Sequence, residues 1–138
     1  MKKIGLKYFL EAKKMKKSIA LGMLILAALF VQIDPAFANK AAASIEGPAS
    51  AEKGAEVTLR ITVTHSTNSS SHYTEWLKVS SNKNEIARWE YAKDKLPEAA
   101  QFTKEIKIKV TENTEVVAEA SCNNHGSKGP AKHKIVVK

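Results

Sequence analysis

Apolar and polar residues alternate along two stretches of this chain, as they do in a β-strand with one buried face. In the first, residues 56–64, every odd position is aliphatic and every even one is Glu, Arg or Thr. The second covers residues 102–110, where Lys104 interrupts the apolar face once. About seven short strands with no amphipathic helix predict an all-β, immunoglobulin-like antiparallel β-sandwich. The other predicted strands are shorter runs at 73–80, 85–91, 115–121 and 132–138, with a weaker one at 42–46.

A different pattern precedes these strands. Residues 18–31 form an uninterrupted run of 14 mostly apolar residues, with lysines before it and Ala36-Phe37-Ala38 after it. The run is shorter than the roughly 18 to 20 residues that cross a bilayer as a helix. A basic start, an apolar centre and small residues at a cleavage site predict a signal peptide over 1–38, with an uncleaved anchor as the alternative. The domain is then 39–138, exported and without a stable membrane span after cleavage.

The positive charge belongs largely to the predicted signal peptide. The full chain has 22 Lys and Arg against 14 Asp and Glu, a net charge of +8. Seven of those basic residues but only two of the acidic ones lie in 1–38. In the remaining domain the lysines alternate with acids along strands instead of clustering, so we expect no nucleic-acid partner.

The chain contains one cysteine, Cys122, and four histidines. Small exported domains normally use cysteines in pairs, so a lone one is either a free reactive thiol or a ligand. His125 follows Cys122 by three residues, while His65 and His72 flank a polar loop, and all four lie at predicted strand ends. A sandwich can gather such ends at one pole. The pattern predicts a metal site, against the alternatives of a buried core cysteine and ordinary surface histidines.

The types of the candidate ligand residues are compatible with more than one metal. One thiolate among imidazoles suits zinc, copper or iron. A blue copper site usually adds an axial methionine, but the only methionines here are at positions 1, 15 and 23, in the predicted signal region. We interpret His133, between two lysines, as a solvated strand residue rather than a ligand.

Three stretches resemble the superoxide reductase family, the iron-binding domain of desulfoferrodoxin and neelaredoxin. Residues 120–126, Ala-Ser-Cys-Asn-Asn-His-Gly, are similar to the family's Tyr-Cys-Asn-x-His-Gly. The segment from His72 to Trp76 is similar to its His-x-x-x-Trp, and residues 85–91 fall where the family has a hydrophobic segment with an arginine. The resemblance covers most of residues 41–138.

The resemblance implies a mononuclear iron centre that reduces superoxide to hydrogen peroxide. Carried over by position, Cys122 is the axial thiolate, and His65, His72 and His125 are equatorial ligands. Lys40 matches a family lysine and is expected to attract superoxide. No second cysteine cluster is present, so turnover requires an external electron donor. The bacterial periplasm is the expected location, and a homo-oligomer is left open.

The N-terminal end of the site departs from the family. A further family histidine ligand falls at Ala41, and the glutamate two positions before it falls at Asn39. We therefore expect three imidazoles and one thiolate, and one hypothesis is that the α-amino group of Asn39 replaces the missing ligand after cleavage. The alternative functions are a non-catalytic metal-binding or electron-transfer module, with copper as one candidate metal, and a sandwich that binds a protein partner.

Overall fold

The structure is a computed structural model that describes residues 39–138, and the predicted signal peptide lies outside them. Eight strands form two sheets, so the all-β prediction is confirmed. Among the described residues no helix is long and apolar enough to cross a membrane. The described residues all belong to the same compact unit. The strands are β1 (Ala42–Glu46), β2 (Ser50–Ala51), β3 (Ala55–Thr64), β4 (Thr74–Ser81), β5 (Asn84–Glu90), β6 (Gln101–Val110), β7 (Thr114–Cys122) and β8 (Ala131–Val137).

The smaller sheet has the order β1-β3-β6 and is antiparallel throughout. Strands β3 and β6 pair over ten residues, and each strand contains one of the two alternating stretches of the sequence. Their charged side chains meet across the outer face, with Arg60 3.6 Å from Glu105 and Lys107 3.5 Å from Glu56. These pairs are exposed and contribute little to stability. They do place the lysines beside acids, as the sequence predicts.

The larger sheet has the order β2-β8-β7-β4-β5. All its pairs are antiparallel except β2 with β8, where Ser50 lies opposite Val136. The sequence pattern does not predict β2, because a two-residue strand is too short to show alternation. One irregularity affects the site: the pairing of β4 with β7 shifts register between Thr74 and Trp76, directly opposite Cys122 and Ser121. Such bulges re-aim side chains at a sheet end.

The core lies between the two sheets. Its side chains come from the inward positions of β3 and β6 on one side and of β4, β7 and β8 on the other. Burial of this apolar surface is the main favourable term in folding. The largest fully buried side chains are Leu59, Ile61, Leu77, Ile135, Val63, Val79, Val110, Val116 and Thr74.

Candidate metal centre

Cys122 is the last residue of β7, and its side chain is buried at 2% exposure. The chain reverses directly after it: the Cys122 N–H donates to the Gly126 carbonyl at 3.0 Å, and the Gly126 N–H donates back at 3.1 Å. Gly126 has a φ of +77°, a conformation in which glycine is favoured. This tight loop brings His125 Nδ1 to 3.8 Å from Cys122 Sγ. The Asn124 N–H also points at the sulfur, at 3.4 Å.

His65 and His72 also lie close to Cys122. His65 comes from the end of a strand of the smaller sheet, and His72 comes from the loop that follows this strand. His65 directly follows β3 and is buried, while His72 lies two residues before β4 and is half-buried. Their rings meet edge to face with centroids 4.7 Å apart. The His72 and His125 centroids are 4.9 Å apart, and His125 Nδ1 lies 3.1 Å from His72 Nε2. His125 is exposed, so the cluster reaches the surface on that side.

Asn123, a residue to which the sequence analysis gave no role, joins the two ligand loops. Its Oδ1 accepts a hydrogen bond from the Tyr73 N–H at 2.9 Å, and its Nδ2 donates to the Ser71 carbonyl at 3.1 Å. Its own N–H donates to the Tyr73 carbonyl at 3.1 Å. The two neighbours of His72 are therefore fixed to the residue that follows Cys122. Asn124 Nδ2 adds a bond to the same Ser71 carbonyl, at 2.9 Å.

The N-terminal segment passes beside the cluster. The main-chain carbonyl of Asn39 lies 3.0 Å from His65 Nε2. Lys40 is half-buried, and its role in attracting an anion stays a prediction. Ala41 is fully buried in the core, its N–H donating to the Gly126 carbonyl at 3.2 Å. Its methyl side chain offers no ligand atom, as expected from the sequence.

The electrostatics of the cluster favour a neutral imidazole at His72. Partial burial lowers the pKa of His72, and repulsion from His65 and His125 lowers it further. Hydrogen bonding to the Asn39 carbonyl opposes this shift. Neutral imidazole is the form that binds metals, so packing the rings together keeps His72 ready for ligation.

The donor atoms fit a metal ion in type and spacing. One ligand atom each from His65, His72 and Cys122 lies within 4.8 Å of the others. Two nitrogens bound to one ion at about 2.1 Å each and at a right angle are about 3.0 Å apart, close to the His72 to His125 separation of 3.1 Å. His65 has two nitrogens that can bind a metal ion: Nδ1 is buried with no hydrogen-bond partner among residues 39–138, and Nε2 contacts the Asn39 carbonyl. One thiol and three imidazoles suit zinc, copper or iron. The structure brings the four residues together, and their ligation of a metal stays a prediction.

His133 and Trp76 are not among the candidate ligands. His133 Nε2 is 2.9 Å from the Pro48 carbonyl, away from the cluster, as its interpretation as a strand residue requires. Trp76 is half-buried and pairs with Ser121 across the bulge, with the Lys78 ammonium 4.2 Å from its ring centroid. The residues that sequence reasoning missed are Asn123 and the carbonyl of Asn39. An asparagine next to a candidate ligand is the only sequence signal for the first, and a main-chain atom gives none.

The fold and the site together define a class of protein, a β-sandwich with one thiol and three imidazoles at one end. The family described as Desulfoferrodoxin matches residues 35–127, which is more than half of the chain, so the chain belongs to the desulfoferrodoxin family. The resemblance to superoxide reductases inferred from the sequence is thereby confirmed. No curated protein matches the chain significantly.

Solved structures share the fold. A superoxide reductase (neelaredoxin) from Ignicoccus hospitalis is 19% identical, with a TM-score of 0.60 over 72% of this chain and 82% of that one. A candidate superoxide reductase from Thermotoga maritima is 23% identical, with a TM-score of 0.51 over 70% and 86%. The sulfur carrier protein SoxY from Chlorobium limicola is 13% identical, with a TM-score of 0.51 over 70% and 78%. These likenesses concern the sandwich alone, since SoxY has it too.

Proposed function

We propose that this protein is an exported superoxide reductase that holds one iron ion between Cys122 and the imidazoles of His65, His72 and His125. The observation that carries the proposal is the convergence of these four side chains in a chain of the desulfoferrodoxin family. The sandwich is of the immunoglobulin-like kind, as its size and mainly antiparallel sheets suggest.

Bound iron would supply the one-electron reduction of superoxide. Superoxide takes up that electron and two protons to give hydrogen peroxide, and an external donor returns the electron. The chain's residues serve this chemistry in separate ways. Cys122 supplies an electron-rich thiolate from a buried position, while the Asn124 N–H moderates the charge on its sulfur. His125 keeps one side of the site at the surface, where an anion can arrive.

Lys40 is proposed to attract superoxide. It stands between Asn39, whose carbonyl contacts His65, and Ala41, which is bonded to the Cys122–Gly126 loop. A cation at this position raises the local concentration of an anionic substrate, and the effect weakens as salt increases. The variant Lys40→Gln should slow superoxide reduction at low ionic strength and approach the native rate at high ionic strength. A rate loss independent of salt would contradict an electrostatic role.

The export proposal concerns residues 1–38, which lie outside the described part of the chain. It is supported by the lysine-rich start, the 14-residue apolar run and Ala36-Phe37-Ala38. Cell fractionation in a two-membrane bacterium, with N-terminal sequencing of the accumulated protein, tests it. Periplasmic protein that begins at Asn39 supports the proposal, and full-length cytoplasmic protein overturns it.

Metal analysis of the purified protein, its absorption spectrum and a superoxide assay test the central proposal together. Stoichiometric iron, a thiolate charge-transfer band and turnover are expected, and Cys122→Ser should abolish the band. The conservative variant His133→Gln serves as the control and should keep both metal and band. Stoichiometric copper without superoxide turnover would favour an electron-transfer module instead. Absence of any stoichiometric metal would favour a sandwich that binds a protein partner.

A further inference from the structure

The carbonyl of Asn39 lies against one of the candidate ligands, its oxygen 3.0 Å from His65 Nε2. The His65 and His72 rings meet edge to face with centroids 4.7 Å apart. One ligand atom each from His65, His72 and Cys122 lies within 4.8 Å of the others. The oxygen is therefore next to a nitrogen of a ring that belongs to the candidate metal site.

The distance is that of two ligands of one ion. An oxygen and a nitrogen bound at about 2.1 Å each, at a right angle, are about 3.0 Å apart. A hydrogen bond of ordinary length has the same separation. Its proton lies near the line between the two atoms, whereas an ion bound to both lies about 1.5 Å off that line. Exchange of the proton for a cation therefore keeps the distance and requires a rotation of the His65 ring or of the Asn39 peptide group.

The segment is held in place from both sides. The Ser66 hydroxyl donates to Asn39 Oδ1 at 3.3 Å, which ties Asn39 to the loop that follows His65. The Ala41 N–H donates to the Gly126 carbonyl, and the Lys128 N–H donates to the Ala41 carbonyl at 2.9 Å, which tie the segment to the loop that follows Cys122. The Asn39 carbonyl is therefore positioned by the same two loops that carry or border the thiol and the three imidazoles.

We infer that the main-chain carbonyl oxygen of Asn39 is a fifth ligand of the metal centre, at the end of the site where the side chain of Ala41 supplies none. The inference rests on the proposed metal site. On metal binding through Nε2, the His65 ring stays neutral by carrying its proton on Nδ1, so the metal ion takes the place of the hydrogen bond to Asn39. Nδ1 has no hydrogen-bond partner among residues 39–138, and binding through Nδ1 is the competing arrangement that the test must exclude. The carbonyl is a weaker donor than an imidazole, and it leaves the thiolate side of the site unchanged.

The sequence allows a direct test by NMR of the full chain. Labelling asparagine at the carbonyl carbon and lysine at the backbone nitrogen selects Asn-Lys pairs, and the chain has two, Asn39-Lys40 and Asn82-Lys83. Asn82 lies in the turn after β4, at the far end of that strand from the site, and is an internal control. One equivalent of Zn²⁺ is the probe. Imidazole nitrogen signals, observed separately, report whether zinc binds.

We expect zinc to move the Asn39 carbonyl signal downfield, because a divalent cation withdraws more electron density than a hydrogen bond does. The Asn82 signal should not move. An upfield shift would mean that the hydrogen bond is lost without replacement. An unchanged signal would mean that His65 binds through Nδ1 and keeps its bond to Asn39. Either result, with imidazole signals that respond, overturns carbonyl ligation and leaves the metal site standing. Imidazole signals that do not respond overturn the metal site itself.

Discussion

The role of Asn123 as the link between the two ligand loops gives a prediction with a matched control. In Asn123→Ala two side-chain hydrogen bonds disappear, one from the Tyr73 N–H and one to the Ser71 carbonyl. Hydrogen bonds of this kind contribute about 0.5 to 1.5 kcal/mol each. The Tyr73 N–H then loses its acceptor, whereas the Ser71 carbonyl keeps its bond from Asn124, so the free energy of unfolding should fall by about 1 to 2 kcal/mol.

The effect on metal binding should be of similar size. Residues that orient a ligand typically change metal affinity by about 10- to 100-fold when they are removed. His72 lies between the two residues that Asn123 holds, so we expect a loss of at least about tenfold. Zinc affinity, measured by competition with a chromophoric chelator, and urea unfolding give the two quantities.

Asn124→Ala is the control for Asn123→Ala. Asn124 donates to the same Ser71 carbonyl but is exposed, and that carbonyl keeps its bond from Asn123. Its loss should cost about 0.5 kcal/mol and change zinc affinity only slightly. Equal affinities for the native protein and Asn123→Ala would refute the reasoning, as would equal losses in the two alanine variants.

Three further predictions concern the rest of the domain. His133→Ala should bind zinc with native affinity, and a weakened affinity would contradict the placement of His133 away from the site. Gly47→Ala should lower the free energy of unfolding in urea by about 1 to 3 kcal/mol, because the added methyl would overlap the fully buried Leu59 side chain; unchanged stability would contradict that contact. The hydrogen bond from Lys104 lowers the pKa of Glu98 below its ordinary 4.5, so the ion pair stabilises the fold above that pH and its contribution disappears in acid. Because Glu98 is largely exposed, Glu98→Gln should lower the free energy of unfolding in urea by at most about 1 kcal/mol at pH 7. The variant should be as stable as the native protein once the native carboxyl is protonated. A loss of stability that persists in acid would contradict the ion pair.

The strands were predictable where one face is buried. Alternation in residues 56–64 indicates β3 because each inward side chain lies in the core, and the structure confirms it. Alternation cannot indicate β2, because a strand of two residues has no repeating pattern. Its pairing in parallel with β8 forms only when the rest of the domain brings the two segments together. The sequence also indicated that the four candidate ligands lie close together. Cys122 and His125 are neighbours in sequence, and strand-end positions sufficed to bring His65 and His72 toward them.

The contacts that orient the site were less predictable. Asn123 acts through two main-chain groups fifty residues away, and no local pattern encodes that pairing. Asn39 contributes a carbonyl oxygen, an atom that every residue has, so its residue type carries no information about it. The sequence indicated that the N-terminal end of the site lacks an imidazole at Ala41. Only the folded chain shows which atom lies beside His65.

The positions of His65 and Cys122 also bear on how the domain stays folded. His65 leaves the smaller sheet and Cys122 ends a strand of the larger one, so an ion bound by both would join the two halves of the sandwich at one pole. Many exported domains use a disulfide for such a cross-link, which a chain with one cysteine cannot form within itself. Because the ion would bind the folded chain alone, a free concentration 1,000 times the dissociation constant would add about 4 kcal/mol of stability. The lifetime of the protein against proteases would then follow the supply of that metal in its surroundings.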